Sequence, residues 1–210
     1  MSAPSDLVRA LTPVADALES LGVAYYVGGS MASSARGIAR ASLDVDLVAD
    51  LGDAHRAPLL ARLRPAYYVS EEAIEEAVRE RSSFNVIHLE TMLKVDIFVA
   101  KGRPFDRDAL ARARLERLEE EATRTFPVAS EEDVVLSKLA WYRLGGERSE
   151  RQWTDVLGVI RMAGPSLDTT YLDRHAESLG VGDLLKRARF EAGAGDDVVT
   201  PEGRGDTRKR

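Results

Sequence analysis

Residues 27–48 read VGGSMASSARGIARASLDVDLV, and this stretch decides the fold. Just before it, Val23-Ala24-Tyr25-Tyr26-Val27 is short, aromatic and β-branched, which predicts a strand. Gly28-Gly29-Ser30 breaks that strand, and the small residues from Met31 to Ile38 predict a short helix. Leu43 to Ala49 alternates apolar and acidic positions before becoming apolar, the pattern of a strand buried on at least one face. Asp44 and Asp46 lie at i and i+2 of that strand, so both carboxylates leave the same face, ~6.5–7 Å apart. Two anions on one face repel and are costly to bury without a counter-charge. An all-oxygen site suited to Mg²⁺ or Mn²⁺ removes that cost.

Working outward, Ser5 caps a predicted helix over 5–21 whose apolar residues recur at helical spacing, and Gly22 stops it. Downstream come a helix at 55–64, a short strand at 67–69 and a helix opening at Ser70-Glu71-Glu72. Two strands follow, Phe84 to Leu89 and Leu93 to Ala100, close enough to form a hairpin around Glu90-Thr91-Met92. Asp96 interrupts the second between Val95 and Ile97, and if this strand neighbours the Asp44/Asp46 strand, three carboxylates converge. Residues 106–121 read as one heavily charged helix. After Pro127 the pattern becomes helical, with helices predicted at 130–144, 149–163, 167–179 and beyond Gly182. The expected fold class is α/β (α+β), with a mixed-sheet domain over 1–126, a helical domain over 127–191 and a disordered tail over 192–210.

Composition narrows the chemistry. The chain has 210 residues, 29 Lys+Arg against 35 Asp+Glu, a net charge of −6 and no cysteine. Disulfides, thiolate nucleophiles and cysteine-based zinc sites are excluded. An acidic chain is poorly matched to duplex DNA. His55, His88 and His175 are too scattered for a histidine-rich metal site: His55 and His175 read as exposed helix positions, His88 as a residue on the sheet surface. Trp141 and Trp153 read as packing residues of the helical part. No apolar run approaches the ~20 residues of a membrane span. The segment MSAPSDLVRALTPV has neither a basic n-region nor an uninterrupted apolar h-region, so a cytoplasmic protein is expected.

Gly28 and Gly29 let the backbone approach a ligand, free N–H groups at a helix start attract phosphate, and Ser30 adds a hydroxyl donor. Carboxylates for cations beside a turn for a phosphate tail match nucleotidyl transfer by two metal ions from an NTP. Each piece alone has a plainer reading: a turn for Gly28-Gly29-Ser30, chance for Asp44-Val45-Asp46, an ion pair with a neighbouring Lys or Arg for Asp96. Their order on these elements favours the site.

The run VGGSMASSARGIARASLDVDLV resembles the signature of the nucleotidyltransferase superfamily typified by DNA polymerase beta, and Asp96 in KVDIFVA is similar in context to that family's third acid. The resemblance implies that Asp44, Asp46 and Asp96 hold two Mg²⁺ (or Mn²⁺) ions, that Gly29 and Ser30 bind nucleotide phosphates, and that Asp96 helps deprotonate the incoming hydroxyl. The segment SEEDVVLSKLAWYRLGGERSERQWTDVLGVI resembles toxin-type nucleotidyltransferases of abortive-infection (type IV) toxin–antitoxin systems. Lys138 and Asp155 match a lysine and an aspartate on successive helices there, and Arg40 and Ser42 match the first motif. In place of the usual Arg-Asp pair this chain has Thr154-Asp155, with Arg151 a turn earlier. The resemblance implies a tRNA or other RNA 3′ end as acceptor and a cognate antitoxin as partner. The alternatives are an antibiotic hydroxyl of the aminoglycoside type, a protein hydroxyl, and a nucleotide-binding or interaction module without turnover. For Lys138 the functional reading, reaching the triphosphate or neutralising the acids, stands against a snorkelling surface lysine. For Asp155, orienting Lys138 stands against a helix-surface ion pair, and for Arg40 a phosphate fork stands against a loop-surface position.

Overall fold

The computed structural model describes residues 5–29, 44–119 and 123–193. The expected helix at 31–38 and the tail from 194 onward therefore lie outside the described residues, as do Ser30, Arg40 and Ser42. Helix α1 (Asp6–Ser20) starts where Ser5 accepts from the Val8 N–H. It leads into β1 (Tyr25–Val27) and, after the undescribed segment, β2 (Asp44–Ala49). A short 3₁₀ turn precedes α2 (Arg56–Leu63), then come β3 (Tyr67–Tyr68), α3 (Glu71–Glu80), β4 (Ser83–His88) and β5 (Lys94–Val99). The remainder is α4 (Pro104–Arg112), β6 (Arg114–Glu116), β7 (Phe126–Val128), α5 (Glu131–Leu144), α6 (Glu150–Ala163), α7 (Thr169–Ser178) and α8 (Gly182–Ala192).

The strands form one mixed sheet in the order β3-β4-β5-β2-β1-β7-β6. β2 and β5 run parallel, and the other pairings are antiparallel except β1 with β7. The alternation along the strands sets two unlike faces. Val45, Leu47, Ala49, Val95, Ile97, Phe84 and Val86 are buried. Helices α1 and α3 pack onto β2, β4 and β5. The intervening residues Asp46, Val48, Lys94, Asp96 and Phe98 are only partly buried and share the opposite face. No helix among the described residues is long and apolar enough to cross a membrane.

Several expectations change. The charged helix expected over 106–121 ends at Arg112, and Arg114–Glu116 instead pairs antiparallel with Phe126–Val128. The sheet thus extends to Val128, just past Pro127, where the helical part was expected to begin. His175 is buried rather than exposed, packed between the rings of Phe105 and Tyr171. His88 is likewise buried, bonded through Nδ1 to the Thr91 hydroxyl and tilted against Tyr67.

Helix α5 is buried over most of its length, so its polar groups must find partners. At its N-terminus, Arg112 of α4 pairs with Glu132 at 2.8 Å and lies 4.0 Å from the Tyr171 ring centre. The Tyr171 hydroxyl donates to Asp133 at 2.7 Å, as does the Ser130 hydroxyl. The Asp168 N–H donates to Glu132 at 2.9 Å. This network ties α4, α5 and α7 together.

The two neighbouring acids titrate oppositely. Burial pushes the Asp133 carboxyl above its ordinary value despite the Tyr171 and Ser130 hydroxyls. Burial also works to raise Glu132, but its hydrogen bonds and Arg112 outweigh it and hold the carboxyl below the usual range. Above the ordinary aspartate value of 3.8, the native state keeps a proton on Asp133 that the unfolded chain has shed, so this group's contribution to stability falls as pH rises. Glu132 contributes stability above its unfolded value that is lost as pH falls. Asp133→Asn is therefore expected to narrow the stability gap to wild type as pH rises from about 4, as read by urea unfolding; a widening gap would contradict the burial argument.

Candidate active site

The strand register builds the site. Asp46 of β2 and Asp96 of β5 are direct partners in the parallel ladder, so the two acids stand side by side on the open face. Asp44 opens β2 and is the register partner of Lys94; for Asp44 the backbone alone is described. The expectation that the two acidic strands are neighbours therefore holds.

On the β1 side, the Gly28 N–H donates to the Asp46 carbonyl at 2.9 Å. Gly29 follows in the left-handed region with φ +57, and a Cβ placed on it would fall 1.7 Å from Asp46 Oδ2. Only glycine gives both the dihedral and the clearance, so the turn is pressed directly against the first carboxylate. Beneath it, Tyr26 is buried on the same face, and burial, followed by Asp133 and Asp106, pushes its phenol far above its ordinary value. It stays a neutral hydroxyl.

Asp96 is ion-paired to Lys94 Nζ at 2.8 Å, the plainer reading of that acid. The pair lies two residues apart on one strand face, a spacing visible in KVDIFV but not singled out from it. An ammonium at that position offsets the repulsion between the carboxylates, and a divalent cation on Asp96 has to displace it. The donors are hard oxygens, which fits Mg²⁺ or Mn²⁺. Among the described residues no group of three or more acidic or histidine side chains is assembled as a metal cage, and Asp44 would be the third acid of such a set.

Lys138 and Asp155 meet each other across α5 and α6, Nζ to Oδ2 at 2.9 Å, with side chains 10% and 4% exposed. This rules out both a snorkelling lysine and a surface ion pair. It also turns Lys138 toward α6. Trp153 is buried as expected, with its indole N–H donating to Glu191 and its ring against Tyr142. Trp141 departs from expectation: it is 49% exposed and its ring meets Phe98 of β5 edge-on, with centroids 5.5 Å apart. A hollow of about 740 Å³ lies at the other end of β1, among Glu19, Tyr25, Leu110, Leu115 and Arg124. Its lining includes neither the glycine turn nor Asp46 nor Asp96, which carry the chemistry.

No family model matches the chain, and no curated protein does. Among solved structures, the chain is similar to the antibiotic-resistance factor ANT(2'')-Ia, with TM-score 0.51 and 14% identity over 90% of this chain and 95% of that one. It is also similar to an antigenic nucleotidyltransferase-like protein from Paracoccidioides brasiliensis, with TM-score 0.50 and 19% identity over 88% of this chain and 92% of that one. The chain has the nucleotidyltransferase fold. The Gly28-Gly29 turn and the acids of β2 and β5 are where the sequence resemblance placed that fold's site.

A buried ion pair makes a sharp test of what Lys138 does. Lys138→Met takes the paired ammonium from the buried Asp155 carboxylate and is expected to cost roughly 3–5 kcal/mol in urea unfolding. The double variant Lys138→Met/Asp155→Leu is expected to recover most of that loss, because no buried charge remains.

Proposed function

We propose that the protein is a nucleotidyltransferase that transfers a nucleoside monophosphate from an NTP to an acceptor hydroxyl, releasing pyrophosphate. The observation that carries this reading is the contact of the Gly29 turn with Asp46, opposite Asp96 in register. Asp46 and Asp96, with Asp44, would hold two Mg²⁺ (or Mn²⁺) ions. Such ions, when bound, supply charge stabilisation to the attacking and leaving oxygens. Gly28, Gly29 and Ser30 bind the β- and γ-phosphates with backbone N–H groups and the hydroxyl. The acceptor oxygen attacks the α-phosphorus, the α–β bridging P–O bond breaks with its electron pair leaving on pyrophosphate, and the acceptor proton passes to Asp96 or to water. Arg40 and Ser42 are proposed to bind the donor phosphates from the segment preceding β2. Lys138, held by Asp155 on α6, is proposed to act by stiffening α5.

Of the acceptors implied by sequence, a small hydroxylated molecule fits the charge pattern better than an RNA end with a toxin role and a cognate antitoxin. RNA requires cations along its path. Several arginines on or beside α4, α5 and α7 are engaged instead: Arg103 with Asp106, Arg112 with Glu132, Arg143 with Asp183, Arg174 with Asp108. The net charge of −6 points the same way.

The test is to incubate the protein with each α-labelled NTP, Mg²⁺ and either an aminoglycoside–lincosamide panel or total RNA. Label is expected on a small-molecule acceptor, and Asp46→Asn or Asp96→Asn is expected to reduce it at least 100-fold with an unchanged circular dichroism spectrum. Label on RNA would favour the toxin-like role, and nucleotide binding without product would indicate a binding module.

A further inference from the structure

The sheet ends on β6, and the alternation of its hydrogen bonds shows which way the outer main-chain groups point. On the β1 side of β7, the Ala129 N–H donates to the Val27 carbonyl at 3.0 Å, with Val27 the register partner of Val128. In such a parallel ladder residues 127 and 129 turn their main-chain groups toward β1, which leaves those of Phe126 and Val128 for β6. The register agrees. Arg114 pairs with Val128 and Glu116 with Phe126, while Leu115 lies opposite Pro127, which has no N–H to give. The N–H and C=O of Leu115 therefore point away from β7, to an outer edge that no described strand covers.

An uncovered strand edge is a template for another strand unless its charges or its shape prevent pairing. The opposite edge of the sheet, β3, is only two residues long. On β6, Leu115 is 71% exposed, Arg114 is exposed and Glu116 is half-buried. Laying a second β6 antiparallel to the first, centred on Leu115, sets leucine opposite leucine and Arg114 opposite Glu116 on both sides of the centre. Opposite charges directly across a ladder stabilise it, and like charges oppose it. A parallel, in-register arrangement would set arginine against arginine and glutamate against glutamate. The strand is therefore complementary to itself in the antiparallel sense. Leu115 also shares the rim of the hollow beside β6 with Leu110, Ala113 and Pro127, so a leucine from the second copy would extend that apolar rim.

We propose that β6 is a self-complementary interface through which two copies of this chain pair about a two-fold axis at Leu115. Each Leu115 N–H donates to the Leu115 carbonyl of the other copy, the two leucine side chains pack together, and two Arg114–Glu116 pairs flank them. Both sheets then continue as one. With only three residues on each side, the contact falls below the ~1,200 Å² of a standard interface, so the dimer is reversible and micromolar rather than obligate. Strands β7 and β1 separate β6 from β2, and the inference does not rest on the nucleotidyl-transfer reading.

Sedimentation velocity of the full-length protein from about 5 to about 300 µM is expected to show a concentration-dependent shift from monomer to dimer. Arg114→Glu and Glu116→Arg each set like charges across the axis, and each alone is expected to weaken self-association about tenfold or more. Mixed in equal amounts, the two variants are expected to associate with each other about as well as wild type, within roughly threefold. In that pairing the introduced carboxylate meets the introduced guanidinium on one side, and the native pair is kept on the other. Leu115→Pro removes the outward N–H and leaves the β6–β7 ladder its bonds, so it is expected to be monomeric with an unchanged circular dichroism spectrum. A monomer over the whole concentration range overturns the proposal. So does a dimer that none of the three substitutions weakens, or a pair of charge variants that associate no better together than apart.

Discussion

Asp46 and Asp96 stand opposite each other on adjacent parallel strands, and their like charges oppose the very pairing that joins β2 to β5. The pairing survives because the other face of the same strands leaves no alternative. Val45, Leu47 and Ala49 on β2, and Val95, Ile97 and Val99 on β5, are all buried beneath the α1 and α3 layer. Slipping either strand by one residue would drive carboxylates into that core and expose the aliphatics. The core therefore sets the register, and the register forces the acids together. Lys94 lowers the residual cost by pairing with Asp96. Groups placed this way rest on the buried centre of the sheet, the kind of element that holds side chains in fixed geometry.

The second constraint is α5, which faces three directions at once. Its N-terminal acids meet Arg112 and Tyr171, Lys138 reaches Asp155 on α6, and Trp141 reaches Phe98 on β5. Burying charge on several sides of a helix is expensive unless each charge is met, and here the described partners come from different elements. Removing Arg112 or Lys138 takes a counter-charge from a buried carboxylate. The helix thus works as a beam between the sheet and the helices that follow it.

Much of this was legible in the sequence because the signals were local. An acid inside an aliphatic strand is conspicuous, and a glycine pair between a strand and a helix start has few uses, so Asp46, Asp96 and Gly29 stood out. The family resemblance, with the Gly145-Gly146 break between the two helices, puts Lys138 and Asp155 on successive helices, but whether they meet at the surface or in the interior depends on how α5 and α6 pack. What escaped notice was non-local. Arg114–Glu116 is charged and only three residues long, so its strand character comes from pairing with β7 rather than from propensity. The burial of His88 and His175 likewise depends on rings brought from elsewhere in the chain, namely Tyr67, Phe105 and Tyr171.

Trp141 and Trp153 show the same limit most sharply. They have equal hydrophobicity and lie on consecutive helices, yet one is sealed between Tyr142 and Arg187 and the other stands open on the sheet. The difference is set by which distant elements each ring meets, information no short window contains. This divides the labour of the site along the chain. The groups that would handle phosphate are contiguous, compressed into residues 27–48 and completed by one partner strand. The aromatic pair beside them is assembled instead from Phe98 of β5 and Trp141 in the later turns of α5, which meet only in the folded state.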